Sequence, residues 1–150
     1  MGTPTELIEF ELMLLGRHVH MAARTKGTMA NLERSAYILL SRLLVEGPMS
    51  IGALSEAFGL NASTLNRQTA ALVTSGLAER IPDANGGMAR KFRITAQGER
   101  RLTEARAELV AGLDKTFAGW TGEDISAFTG YLKRLNTSIE HLDGRPWPRP

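Results

Sequence analysis

SIGALSEAFGLNASTLNRQTAALVTSG, residues 50–76, is the stretch whose reading decides the fold. Ser50 is a capping residue ahead of Ile51, Leu54 and Phe58, which are spaced for one face of a short helix. Gly59 stops that helix at a point where a left-handed backbone suits glycine. Asn61 then caps a second helix, which keeps Leu65, Leu72 and Val73 on its apolar side and ends at Gly76. Beyond Gly76 the period falls towards two. Residues 77–81 and 91–94 alternate, and Pro82 to Met88 between them contains Asn85, Gly86 and Gly87. This predicts a β-hairpin with a flexible tip. Short helix, glycine turn, second helix and hairpin, in that order, predict a winged helix-turn-helix, with Leu54, Phe58, Leu60, Leu65, Leu72 and Leu77 supplying its small core.

On a wheel at about 100° per residue, Leu65, Thr69, Leu72 and Gly76 fall in one narrow sector that must face this core. The opposite sector holds Ser63, Arg67, Ala70 and Thr74, flanked by Thr64 and Asn66. No acidic residue occurs from Leu60 to Gly76, whereas a merely solvated helix is ordinarily laced with Glu and Lys pairs. A helix in the major groove needs that composition: phosphates repel carboxylates, small side chains allow close approach, and Ser, Thr and Asn bond base edges or phosphate oxygens. The expected reading helix therefore runs from about Asn61 to Ser75, with Asn61, Ser63, Thr64, Asn66, Arg67, Ala70 and Thr74 facing DNA. Arg67 suits a guanine and Ala70 a thymine methyl. The hairpin adds Arg80, Arg90 and Lys91 for phosphates or the minor groove, with Arg93 beside them and only Glu79 and Asp83 in opposition. Arg100 and Arg101 read as ordinary helix surface.

Upstream, Thr3, Pro4 and Glu6 carry the signals of a helix start. The helix presents Leu7, Ile8, Phe10, Met13, Leu14 and Leu15 and continues towards Met21, an apolar face wider than one neighbour usually covers. Arg24 to Ala30 reads as a loop. A helix from Asn31 buries Leu32, Tyr37, Ile38, Leu40, Leu43 and Leu44 and ends at Gly47-Pro48. Downstream, a long helix spans about Ala96 to Phe117, and Thr121 opens the last one with a capping-box pattern. Its apolar positions, Ile125, Phe128, Leu132, Leu135, Ile139 and Leu142, are spaced 3, 4, 3, 4, 3. That is the seam of a helix packed lengthwise on another. A core helix within one subunit is the bland reading; with so few partners left in 150 residues, a homodimer seam shared with the N-terminal helix is the better one. The tail from Gly144 to Pro150 is proline-rich and reads as extended or disordered.

One domain is what 150 residues hold, at 43% hydrophobic and 23% charged,. The absence of cysteine excludes a disulfide framework, a thiolate metal site and a cysteine nucleophile, and it suits a reducing cytoplasm,. No apolar run approaches the roughly 20 residues that span a bilayer, and residues 1–11 lack the order of a signal peptide. The expectation is a cytoplasmic protein with no membrane partner. A net charge of +2 identifies no partner by itself,. His18 and His20 lie about 200° apart on their helix, and His141 stands without a ligand cluster, so neither metal nor cofactor is expected. There is no phosphate loop, nucleophile elbow or base–nucleophile pair, and so no catalytic residue. Met13, Met21, Met29, Trp120 and Trp147 could line a ligand pocket, but at helical positions plain packing is the commoner role, so ligand-binding residues stay unassigned.

Ile51 to Gly59, Ser63 to Leu72, Ser75 to Arg80 and Arg93 to Gly98 together resemble the MarR family of bacterial transcriptional regulators. The resemblance covers nearly the whole chain. It implies one mainly α domain over 1–150: a winged part at about 31–98, dimerisation helices at about 4–24 and 96–142, and a flexible tail at 143–150. It also implies a triangular homodimer on a pseudo-palindromic operator in double-stranded DNA, its two recognition helices entering major grooves about 34 Å apart. Such regulators block transcription and often release DNA when a small phenolic or other lipophilic ligand binds between the dimerisation helices and the winged module. Sensing by cysteine oxidation, known in the family, is excluded here. The family usually carries an Asp-Arg pair at the wing tip; this chain has Asn85-Gly-Gly-Met88, so the wing arginine is either absent or supplied by Arg90 a little further along. That departure motivates a second reading, a winged-helix protein-interaction adaptor without DNA binding. An adaptor would not need the acid-free face around Arg67.

Overall fold

A computed structural model describes residues 2–25, 32–82 and 90–150, with the backbone alone given for 20–25. The wing tip 83–89, most of the stretch read as a loop after Arg24, and the side chains of His20, Met21 and Met29 lie outside the described residues.

Helix α1 (Pro4–Thr25) opens on a reciprocal cap. Glu6 Oε2 accepts from the Thr3 N–H at 2.5 Å and Thr3 Oγ1 accepts from the Glu6 N–H at 3.3 Å,. It runs through Arg24 and Thr25, two residues further than read. Helix α2 (Arg34–Glu46) begins later than the expected Asn31 and ends at Gly47, whose φ is 90°. Strand β1 (Met49–Ser50) was not expected, being too short to show alternation. It forms because Met49 buries its side chain opposite Phe92. Helix α3 (Ile51–Phe58) is capped by Ser50 and closed by Gly59 at φ 65°, the left-handed conformation read from the sequence,. Helix α4 (Ala62–Thr74) follows. Strands β2 (Ala78–Pro82) and β3 (Arg90–Ile94) pair antiparallel from Ala78↔Ile94 to Pro82↔Arg90, giving the sheet order β1-β3-β2. Helices α5 (Ala96–Thr116) and α6 (Gly122–Asp143) complete the chain, capped by Thr95 and Thr121.

This is a winged helix-turn-helix carried by long helices. Leu39, Leu40 and Leu43 of α2, Leu54 of α3, Leu65 and Leu72 of α4, Phe92 of β3 and Leu102 of α5 form one buried cluster. Two residues assigned to the interior are outside it. Leu60 is 41% exposed because it follows the left-handed turn and faces away from the helix pair. Leu44 is 45% exposed, lying about 100° round from Leu43 and off the buried stripe,. Arg42, by contrast, is buried at 6% exposure.

Among the described residues, several apolar rows stay uncovered. On α1, Leu7, Ile8, Phe10, Met13 and Leu15 are exposed, and on α6 Leu132, Leu135, Ile139 and Leu142 are exposed. The seam is therefore not a core helix of a single subunit. The tail has no helix or strand, but it is not loose: Trp147 stacks on Phe58 and Arg149 pairs with Glu140. Among the described residues no helix is long and apolar enough to cross a membrane, and no group of three or more His, Cys, Asp or Glu could hold a metal ion.

Candidate nucleic-acid interface

The orientation of α4 follows from what it buries. Leu65, Thr69 and Leu72 are 0%, 1% and 3% exposed. Thr69 tolerates this because its Oγ1 donates to the Leu65 carbonyl at 2.7 Å, leaving no buried hydroxyl unpaired,. The opposite face then points outward. Ser63, Asn66, Arg67 and Thr74 are exposed, whereas Thr64 and Ala70 are half-buried. Ala71, passed over in the sequence, is exposed on the flank facing away from Ala70. Among the described residues no carboxylate pairs with Arg67.

Asn61 has a local task. Its Oδ1 accepts from the Thr64 N–H and from Ser63 Oγ, both at 2.8 Å. That fixes the first turn of α4 and commits its side-chain oxygen. Its amide nitrogen takes no part in that cap.

The wing residues divide by strand register. Arg80 stands opposite Phe92, with its guanidinium carbon 5.5 Å from that ring's centroid, so it is drawn onto its own sheet,. Arg93 is paired with Glu79 across the strands, Nε to Oε1 at 3.0 Å. Arg90, exposed opposite Pro82, and Lys91, half-buried opposite Ile81, sit at the end of the sheet farthest from α5. They are the better-placed cations of the wing.

The junction behind α4 escaped the sequence reading. Thr95 Oγ1 donates to the Gly76 carbonyl at 2.6 Å and accepts from the Gly98 N–H at 3.0 Å, and the Thr95 N–H donates to the Leu77 carbonyl at 3.0 Å. The end of α4, the root of the wing and the start of α5 are thus one joint. A glycine in the first turn of a long helix is a signal in itself, since it costs about 1 kcal/mol relative to alanine.

A groove of about 540 Å³ runs between Ile38, Phe58 and Leu60 on one side and Ile139 of α6 on the other, with Arg145 and Trp147 of the tail lining it as well.

The comparisons agree with this geometry. A family model described as the MarR family matches residues 32–86. The uncharacterized HTH-type transcriptional regulator YxaD of Bacillus subtilis (strain 168) is 34% identical over 136 residues, covering 91% of this chain and 95% of that protein. A MarR family protein from Bacillus stearothermophilus has a similar structure, with TM-score 0.74 at 22% identity, over 93% of this chain and 99% of that one. The PcaV transcriptional regulator of Streptomyces coelicolor, solved with its natural ligand, gives TM-score 0.60 at 19% identity, over 84% and 92%.

Proposed function

The chain belongs to the MarR family of transcriptional regulators, and from that premise we propose that it is a homodimeric repressor of a pseudo-palindromic operator, released by a small ligand. It is a DNA-binding regulator and not an enzyme. The observation that carries the proposal is the outward face of α4, where Ser63, Asn66, Arg67 and Thr74 are exposed with no acidic residue from Leu60 to Gly76. Such a face is compatible with a polyanion and gains nothing from water alone. The exposed apolar rows of α1 and α6 supply the dimer contact. A lipophilic or phenolic ligand would lodge in the groove between the helix pair and α6, as a bound compound does not shift an equilibrium unless it prefers one arrangement of the two parts. The protein works where the chromosome is, in the cytoplasm. The adaptor reading is not favoured.

A palindromic duplex selected from random sequences, titrated by fluorescence anisotropy, tests this. A dimer neutralising roughly six phosphates loses about a thousandfold in affinity between 50 and 200 mM salt. An affinity indifferent to salt would contradict a phosphate-binding face.

Asn61→Asp separates folding from reading. Aspartate caps as well as asparagine, so the thermal midpoint should hold. The added carboxylate should weaken duplex binding by at least about tenfold, as like charges meet at the phosphates. Undiminished binding would move Asn61 away from the DNA backbone.

A further inference from the structure

Residues 145–150 run against the helices rather than away from them. Gly144, at φ 69°, closes α6 and turns the chain back along α3. Arg145 Nε donates to the Glu56 carbonyl at 3.2 Å, and its guanidinium fills the space beside Gly59, where a Cβ would come within 2.8 Å of Arg145 Cζ. The Trp147 ring stacks on Phe58, with centroids 5.5 Å apart and planes 15° from parallel. Glu140 of α6 fastens the far end: Oε1 accepts from the Trp147 N–H at 2.6 Å and from Arg149 Nη1 at 3.0 Å, while Oε2 accepts from Arg149 Nη2 at 2.5 Å. The hydrogen bond from Arg149, and then that from the Trp147 backbone, hold the Glu140 carboxyl down at about 2, so the clasp stays charged at ordinary pH.

Arg42 explains why an aromatic ring stands at position 147. Its Nε pairs with Glu46 at 2.6 Å, but its buried Nη1 has no hydrogen-bond partner. The guanidinium instead lies over the Trp147 ring, 4.8 Å from the centroid. A cation–π contact is the interaction left to a desolvated guanidinium there.

We propose that residues 145–150 form a strap that ties α6 to α3, with Trp147, Arg42 and Arg145 acting as positioning residues for the recognition helix. The strap grips Glu56, Phe58 and Gly59, which lead directly into Asn61, the cap of α4. Helices α3 and α4 share the core through Leu54 and Leu65, so they move together. The reading unit is already joined to α5 at Thr95 and Gly98. One joint leaves a hinge; a second, on α6, removes it. In a dimer built on α1 and α6 the strap then favours one separation of the two reading helices in the unliganded protein, a consequence that rests on the function proposed above.

The chain has no cysteine, so spin labels can be placed singly. Ala71→Cys on α4 and Thr137→Cys on α6, both exposed, report the intramolecular distance by pulsed electron resonance in labelled protein diluted with unlabelled. The parent should give a narrow distribution. Trp147→Ala and truncation after Gly144 should broaden it, and Trp147→Phe, which keeps the stack, should restore it. In the unlabelled variants the preference for the selected duplex over one with an added base pair, about 3.4 Å more between half-sites, should shrink by about tenfold, within the ordinary range of coupling between sites. Unchanged distance distributions would overturn the strap, and broadened ones with an unaltered spacing preference would overturn its positioning role. If the parent itself bound no duplex, the DNA-binding reading would fall, and the distance measurement, which needs no DNA, would tell that failure apart.

Discussion

Gly98→Ala should lower the thermal midpoint by roughly 10 °C, the largest effect expected of a methyl group added at any of the described glycines,. A Cβ at position 98 would stand 2.1 Å from the Leu77 carbonyl oxygen and 2.8 Å from Ile94 Cγ1. The first of these is backbone and cannot rotate away. It already accepts the Thr95 N–H at 3.0 Å, and Leu77 and Ala78 on either side of it are 7% and 3% exposed. Relief requires α5 to lift from the root of the wing, breaking the Thr95 bond and opening the core beside Leu102. Such overpacking costs about 3 kcal/mol or more. At roughly 2–4 °C per kcal/mol for a chain of this length, the midpoint falls by the stated amount. Gly112→Ala is the control: it lies on the same helix with nothing within 4 Å of the added atom. It should raise stability by several tenths of a kcal/mol through helix propensity alone. Calorimetry on the two variants decides the matter. Equal midpoints would mean that α5 and β2 do not approach as closely as described.

The helices and hairpin were legible because their signals are local. Ser50, Asn61 and Thr121 are capping residues just ahead of apolar periodic segments, and all three accept a backbone N–H in their helix's first turn,. The outward face of α4 was legible for the same reason, since burying Leu65, Thr69 and Leu72 dictates what points away. What escaped depends on contacts distant in sequence. β1 is two residues long and exists through Phe92, more than forty residues on. Leu60 and Leu44 look apolar enough to bury, but the turn and the helix phase place them outside. The tail's proline content describes its backbone correctly and says nothing of Trp147, whose partners Arg42 and Phe58 belong to other helices. A tryptophan between prolines was the available signal, because so large an apolar surface is seldom left in water.

Arg67→Ala should weaken binding to the selected duplex by about 10- to 100-fold, the value of a bidentate arginine–guanine contact at about 1–3 kcal/mol. The fold should not notice. Arg67 is exposed, and among the described residues it has no ion pair to lose. Affinity alone would not distinguish a base contact from a phosphate contact, but two further readouts do. A base contact relaxes specificity at one position in each half-site, so duplexes altered there should bind the variant and the parent more nearly alike. Its removal also leaves the salt slope almost unchanged, whereas Arg90→Ala at the wing should reduce the slope by about 1 and weaken all sequences evenly. Arg67→Lys keeps the charge without the planar fork, so it should recover phosphate attraction but not base preference. If Arg67→Ala lowered the slope and spared specificity, Arg67 would be a phosphate clamp. Sequence reading would then fall to Asn66 and Thr74 beside it.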